Sequence, residues 1–335
     1  MSQSDATLPA AGSVTIARQP LRELLTGPVA SIAITLIVVI VVGITWVGPR
    51  FLSPSNLSII GIFVAVPMLI GAFSGFALLA GVVDLSIGSM VGFGSALFAT
   101  LTSSGWPLWA AGLVTLLACA SCGAINAVAI VGFGADAIAA TLGMLTALRG
   151  ATYILAGSSG AITAFDPDFY AFTNQVLGPL PLLFLISFGV VVVATIIVVK
   201  TRIGRHVQAV GGDDRAAGRA GISVGGIRSA ALVLSAVGAG IGGILYVGQL
   251  GSASNLTGVG LEFQVYAALM IGGYSILRGG VGNPVGGALG LLVVAGTSNI
   301  LDVQGISPYY VNIIIGLLLL AAVLLDRLRG GDAFE

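Results

Sequence analysis

Side chains able to do chemistry are scarce in this chain, and each motif they spell lacks its partner. Gly238, Gly240 and Gly243 satisfy G-x-G-x-x-G, the pattern that lets a strand-to-helix turn approach a dinucleotide pyrophosphate. Here it lies inside an apolar run, with no strand before it and no acidic residue at ribose distance. Cys119 and Cys122 form C-x-x-C within an Ala-rich apolar segment, where small packing residues are expected rather than a redox pair. Gly157, Ser158, Ser159 and Gly160 could present a nucleophilic serine, but a general base must come within about 3 Å of it. The single histidine, His206, falls in a polar loop, across a bilayer core about 30 Å thick from the predicted position of Ser159. A phosphate-binding P-loop needs a lysine after glycine, and the sole lysine, Lys200, follows Val199. If ATP drives this protein, another subunit supplies the nucleotide site.

Four ionisable residues lie near apolar runs: Asp84, Asp136, Arg149 and Glu262. Such groups are the working parts of ion-coupled transporters. Asp84 follows Gly81 and precedes Leu85-Ser86-Ile87-Gly88, where two apolar runs nearly touch. That spacing predicts a tight turn or broken helix, with Asp84 capping the next helix through its N-terminal amides. Asp136, ahead of Ala137–Leu145, has the same character.

The elements that must hold these residues are membrane helices. The chain of 335 residues is 57% hydrophobic and 8% charged, with a mean hydropathy of +1.09, and apolar runs of about 20 residues recur along it. The period-2 alternation of an outer-membrane barrel is absent. The fold class is therefore all-α and polytopic, with about ten transmembrane helices. Their predicted bounds are 29–48, 57–80, 85–104, 107–131, 136–156, 180–199, 227–249, 257–277, 282–301 and 308–326. Small residues at four-residue spacing, as in Gly71 and Gly75, Gly88 and Gly92, or Gly286 and Gly290, predict close helix packing where lipid gives no hydrophobic drive for association.

Basic residues collect on the cytoplasmic side of short loops. With both termini inside, Arg18, Arg22, Arg278, Arg327, Arg329 and a dense cluster are cytoplasmic, and Trp46, Trp106 and Trp109 fall at the outer interface. That cluster is Lys200, Arg202, Arg205, Arg215, Arg219 and Arg228, around Asp213 and Asp214. It is a polar island displayed to a soluble partner. The organisation expected is a cytoplasmic N-terminal tail over 1–28, a transmembrane permease domain over 29–326 with its cytoplasmic loop at 200–228, and a cytoplasmic tail over 327–335. The first two dozen residues read as a flexible tail rather than a removed signal peptide. The outer loop 157–179 carries Asp166, Pro167 and Asp168 and is too short for an extracellular domain.

Four stretches resemble one family. Gly81-Val-Val-Asp84-Leu85-Ser86-Ile87-Gly88-Ser89, Ala140-Thr141-Leu142-Gly143-Met144 with Arg149-Gly150, Thr201-Arg202-Ile203-Gly204-Arg205 running to Ala209-Val210-Gly211-Gly212, and Ser307-Pro308-Tyr309 look like the signatures of permease subunits of bacterial sugar ABC importers, the ribose, xylose, arabinose and galactose group. The order is the same, and the resemblance covers nearly all the chain after residue 30. It implies an ABC importer permease fold in the bacterial inner membrane, crossing it many times. It further implies two permease subunits, as a homodimer or heterodimer, two cytoplasmic ATPases that hold ATP and Mg, and a periplasmic sugar-binding protein. No cofactor on this chain and no nucleic acid partner is expected.

In such importers a short cytoplasmic helix fits a groove on the ATPase. The matching segment is Ala216-Ala217-Gly218-Arg219-Ala220-Gly221, so Asp214, Arg215, Ala216, Ala217 and Gly221 are the implied ATPase-coupling residues, on a docking helix over 206–222. Arg215 stands where related permeases often carry Glu. A second departure is Gly272-Gly273-Tyr274-Ser275-Ile276-Leu277-Arg278-Gly279-Gly280, where Tyr274, Leu277 and Arg278 are unusual. A neutral sugar needs hydroxyl and amide partners, so Asp84, Ser86, Asn126, Thr141, Thr146, Asn299 and Asn312 are candidates for the translocation path, each alternatively a helix-packing hydrogen bond. The rival function is an ion-coupled secondary transporter working alone through Asp84 or Glu262, and a third is a non-transporting membrane scaffold.

Overall fold

The computed structural model describes residues 28–307 and, beyond them, residues 310, 313, 314, 316, 317, 320 and 324, with side chains from Ile32 onward. The predicted N-terminal tail up to residue 27, most of the span 308–326, Asn312 and the C-terminal tail lie outside the described residues.

Twelve helices order the described chain: α1 (Pro28–Val47), α2 (Pro54–Leu79), α3 (Ile87–Ser103), α4 (Leu108–Ala127), α5 (Ala137–Ala156), α6 (Pro167–Thr173), α7 (Leu182–Lys200), α8 (Arg202–Gly212), α9 (Asp214–Arg219), α10 (Val224–Leu250), α11 (Leu261–Ile271) and α12 (Pro284–Val303). A π turn over Val128–Gly132 prolongs α4. Polar residues start many of them. Ser53 accepts from the Asn56 amide ahead of Pro54, Asp136 from Ala139, Thr201 from Gly204, Asp213 from Ala216, Ser223 from Gly226 and Asn283 from Val285 ahead of Pro284. Each supplies an acceptor to an amide with no partner inside its helix. The predicted cap at Asp136 is among them, at 2.9 Å.

Six helical segments among the described residues are long and apolar enough to cross a membrane: Pro54–Leu79, Leu108–Gly132, Ala137–Ser159, Leu182–Lys200, Val224–Leu250 and Pro284–Val303. Two predicted spans come out shorter. The span at 85–104 gives α3, of 17 residues, because the chain enters it through an extended connector at Val82–Asp84. The span at 257–277 gives only α11, of 11 residues. Gly258 and Gly260 before it and Gly273 after it hold φ of 74°, 77° and 90°, left-handed backbone that a helix cannot include.

The core is organised around α10, which packs on α2, α3 and α4. Its glycines make this possible. A Cβ on Gly238 would strike Phe73, one on Gly240 would lie 2.9 Å from the Cys119 sulfur, and one on Gly243 would lie 2.6 Å from the Val91 carbonyl. The G-x-G-x-x-G spelling and the first cysteine of C-x-x-C therefore meet each other as packing residues. On the other side of α2 sit α7, α11 and α12, and α1 lies along α12. Gly286 and Gly290 bring α12 onto the Gly272 and Ala268 carbonyls of α11. Asn56 and Asn299, both buried, exchange two amide hydrogen bonds of 2.9 Å and clamp α2 to α12.

The loop 157–179 is itself folded. β1 (Ala161–Thr163) pairs antiparallel with β4 (Ser252–Ser254), with Ile162 opposite Ala253, and β2 (Val176–Leu177) pairs with β3 (Leu180–Pro181). Asp166 caps α6, whose Phe169 meets Phe98 of α3 edge to face. Ser159 gives its hydroxyl to the backbone carbonyls of Ala156 and Ala161.

The unusual stretch after α11 has a definite job in packing. Tyr274 is buried in a slot between glycines: a Cβ on Gly75 would lie 2.7 Å from its hydroxyl, and Gly282 and Gly287 lie against its ring. The hydroxyl has no hydrogen-bond partner among the described residues. Burying a hydroxyl unpaired costs about 1–3 kcal/mol. Tyr274→Phe, which keeps the ring, is therefore expected to leave the folded yield unchanged and raise the thermal midpoint of the detergent-purified protein. A lower midpoint would show that the hydroxyl is satisfied.

Candidate functional site

Two regions gather the predicted site residues, one inside the bundle and one on the polar island. The inner one is the connector Ala80–Ser86 between α2 and α3. Gly81, at φ 74°, turns the chain, and Asp84 is carried to a position with no solvent exposure. One carboxylate oxygen, Oδ1, accepts from the Ser86 amide at 3.1 Å and the Ser86 hydroxyl at 2.5 Å. The other, Oδ2, accepts from the Ser235 hydroxyl of α10 at 2.8 Å. Asn126 of α4 donates its amide to Ser86 Oγ at 3.2 Å. Tyr266 of α11 grips the Asp84 backbone, donating its hydroxyl to the carbonyl at 2.7 Å and accepting the amide at 3.2 Å. The connector, α4, α10 and α11 thus converge around Asp84, with Ser86 and Ser235 alone bonding its carboxylate.

This arrangement changes the expected role of Asp84. It does not cap the first turn of α3, because the cap position is Ser86, and the one backbone amide that its carboxylate accepts is that of Ser86, two residues on. A carboxylate that receives only neutral donors and has no cation partner among the described residues ties helices together as a buried polar network. Tyr266 and Ser235 were missed from sequence. Their partners lie 182 and 151 residues away, and a tyrosine and a serine inside apolar runs are the only faint signals.

Beside this network, Glu262 is buried against Gly88, and its Oε2 has no hydrogen-bond partner among the described residues. Arg149 of α5 donates instead to the Thr257 carbonyl at 3.1 Å. The remaining candidates are apart from the network. Thr141 is buried and bonds the Ala137 carbonyl of its own helix, Thr146 does the same to Leu142 on an exposed face, and Asn299 spends its amide on Asn56. The structure joins Asp84, Ser86 and Asn126 and leaves Thr141 and Asn299 separate.

On the polar island, the single docking helix expected over 206–222 is two helices. Asp213 breaks it with an extended backbone (φ −154°, ψ 100°) and caps α9. Arg202, Arg205 and His206 are exposed on α8, while Val207 and Val210 are buried, the amphipathic pattern of a surface helix with its apolar stripe on the core. On α9 and the turn after it, Arg215, Ala216, Ala220 and Gly221 are exposed, and Gly221 has φ 81°. Ala217 departs from expectation. Its side chain is buried within this chain, so it does not lie on the face open to a partner. Asp214 pairs with Arg228 at 3.2 Å.

The profile of the family described as "Branched-chain amino acid transport system / permease component" matches residues 57–323. The D-allose transport system permease protein of Escherichia coli is 32% identical over 281 residues, 83% of this chain and 85% of that protein. The ribose import permease protein of Haemophilus influenzae is 32% identical over 301 residues, covering 89% and 92%. The autoinducer 2 import system permease protein of Klebsiella pneumoniae is 32% identical over 277 residues, covering 81% of each. No solved structure matches.

Proposed function

The chain belongs to the branched-chain amino acid transport system / permease component family, and from that premise we propose what it carries and what it works with. It is the membrane-spanning subunit of an ATP-driven importer in the bacterial inner membrane, and its cargo is a sugar, a pentose, hexose or related polyol. The observation that carries this reading is similarity, over 81–89% of the chain, to import permeases for allose, ribose and autoinducer 2. All three are 32% identical to this chain, so the cargo of each belongs in the test panel.

The partners follow from the same reading. Cytoplasmic ATPases that bind ATP and Mg dock on α8–α9, a periplasmic binding protein delivers the sugar, and a second permease subunit completes the pore. Support for the second subunit comes from α5. Its exposed face carries Ala139, Gly143, Thr146, Ala147 and Gly150, a small and hydroxyl-bearing stripe suited to a neighbouring helix or a polar path. The transport cycle is alternating access, in which the bundle opens to one side and then the other. The buried Asp84 network is the fixed centre about which the helices are held.

Both ends of the chain and Arg215 face the cytoplasm, and Asp166 and Asp302 face out, on the asymmetry of basic residues. In a background lacking Cys119 and Cys122, a membrane-impermeant thiol reagent applied from outside is expected to label a cysteine at 166 and to leave one at 215 untouched. Labelling at 215 would reverse the topology. The function itself is tested in cells. Deleting the gene for this chain is expected to abolish uptake of one member of a panel of radiolabelled ribose, D-allose, L-arabinose and autoinducer 2. Undiminished uptake of all four would contradict the reading.

A further inference from the structure

Three backbone segments that are far apart in sequence meet at one point next to the Asp84 connector. Leu79–Gly81 ends α2, Gly211–Gly212 ends α8, and Gly279–Gly280 lies in the loop between α11 and α12. The Gly280 amide donates to the Leu79 carbonyl at 2.9 Å. A Cβ on Gly279 would lie 2.7 Å from both the Gly211 and the Gly81 Cα, and one on Gly211 would strike the Leu79 carbonyl and the Gly280 amide. No side chain separates Gly81, Gly211 and Gly279, so bare backbone packs directly on bare backbone between them. Such a contact cannot yield as a flexible side chain would.

Arg228, at the start of α10, braces the same point. Its Nη2 meets Asp214 of α9 at 3.2 Å, and its Nε donates to the Ala80 carbonyl at 3.3 Å. One guanidinium therefore touches the short helix of the polar island and the connector that carries Asp84. The far end of the α11–α12 loop is fixed by Tyr274 in its glycine slot, so the joint is tied into the bundle from both sides.

We propose that this joint, with Arg228 as a positioning residue and Gly211 and Gly279 as its contact surfaces, transmits movement of α8–α9 to the connector holding Asp84. The proposal rests on the reading that α8–α9 dock an ATPase. It adds that docking and transmission are separable, with docking on the exposed face of α9 and transmission on the side turned toward α2. A contiguous contact becomes a coupling route only when its removal changes coupling.

The test uses the complete importer in proteoliposomes, with its ATPase and binding protein, and as probe the panel sugar that the unaltered chain takes up. Arg228→Gln is expected to keep ATPase co-purification and basal ATP hydrolysis while lowering sugar moved per ATP hydrolysed by about tenfold, within the usual range of coupling energies. Arg228→Lys, which keeps a charge opposite Asp214, should lose less. Gly279→Ala, acting at the backbone contact, should reproduce the Gln phenotype, and if it does not insert, Arg228→Gln decides alone. Unchanged sugar moved per ATP in Arg228→Gln would overturn the proposal, as would a loss that only parallels loss of bound ATPase. Failure of the unaltered chain to bind the ATPase would instead sink the docking reading, and the two failures are distinct.

Discussion

Asp84→Ala is expected to destabilise the protein by about 3 kcal/mol or more, because it removes the acceptor for a buried amide and two buried hydroxyls and leaves them unpaired. Ser235 would lose its carboxylate partner, and Ser86 would lose two bonds and with them the anchor for Asn126. A simple helix cap would lose only about 1 kcal/mol on the same change, so the size of the effect separates the two roles. Asp84→Asn preserves the shape and one acceptor oxygen. It is expected to recover most of the stability and to retain transport. The measurement is thermal unfolding of the purified protein alongside uptake. A secondary transporter that binds its coupling ion at Asp84 gives the opposite pattern, with Asn stable but inactive.

Ala220→Trp is expected to reduce ATPase association by about tenfold or more while leaving insertion and folded yield intact. A bulky ring placed at the centre of a close helix-to-groove contact carries a penalty of the size seen at interface hot spots. Ala217→Trp should behave differently. Because Ala217 is buried within this chain, the indole would disrupt the packing of α9 and lower the yield of folded protein, an overpacking effect of about 1–3 kcal/mol. Co-purification of the ATPase with each variant, normalised to folded protein, separates the two. Normal association with Ala220→Trp would remove this face from the docking surface. A loop whose basic residues only attract anionic lipid would ignore Ala220 and respond to the charges of Arg215 and Arg219.

The broad architecture was legible because it rests on one-dimensional signals. Apolar runs gave helix positions to within a few residues for α2, α4, α5, α7, α10 and α12, and the cap at Asp136 followed from its place ahead of an apolar segment. Where glycines intervene, the hydropathy signal overreached. The stretch 257–277 is mostly apolar, yet left-handed turns at Gly258, Gly260 and Gly273 leave only α11. The resemblance to sugar importer permeases rested on short motifs and was matched by relatives along the chain.

The site was legible only in part. Asp84, Ser86 and Asn126 were named from residue type and do share a network, but its other half comes from Ser235 and Tyr266, and long-range pairing leaves no local trace in sequence. The inward turn of Ala217 was hidden for a similar reason. Helical periodicity places a residue on a face, and only the packed structure shows that α8 and α9 are separate helices with different faces turned in. Tyr274 stood out as a departure, and its meaning appeared only with the three glycines that make room for it.

This chain moves a sugar only as part of an ATP-driven assembly, and that dependence can be measured. It is tested most directly by uptake into proteoliposomes holding the purified chain, with and without its ATPase, ATP and binding protein, using the panel sugar that cells lose on deletion. Uptake that requires ATP, the ATPase and the binding protein together, and that is absent with the chain alone under a proton or sodium gradient, is the result predicted. Uptake by the chain alone under such a gradient, without ATP, would contradict it.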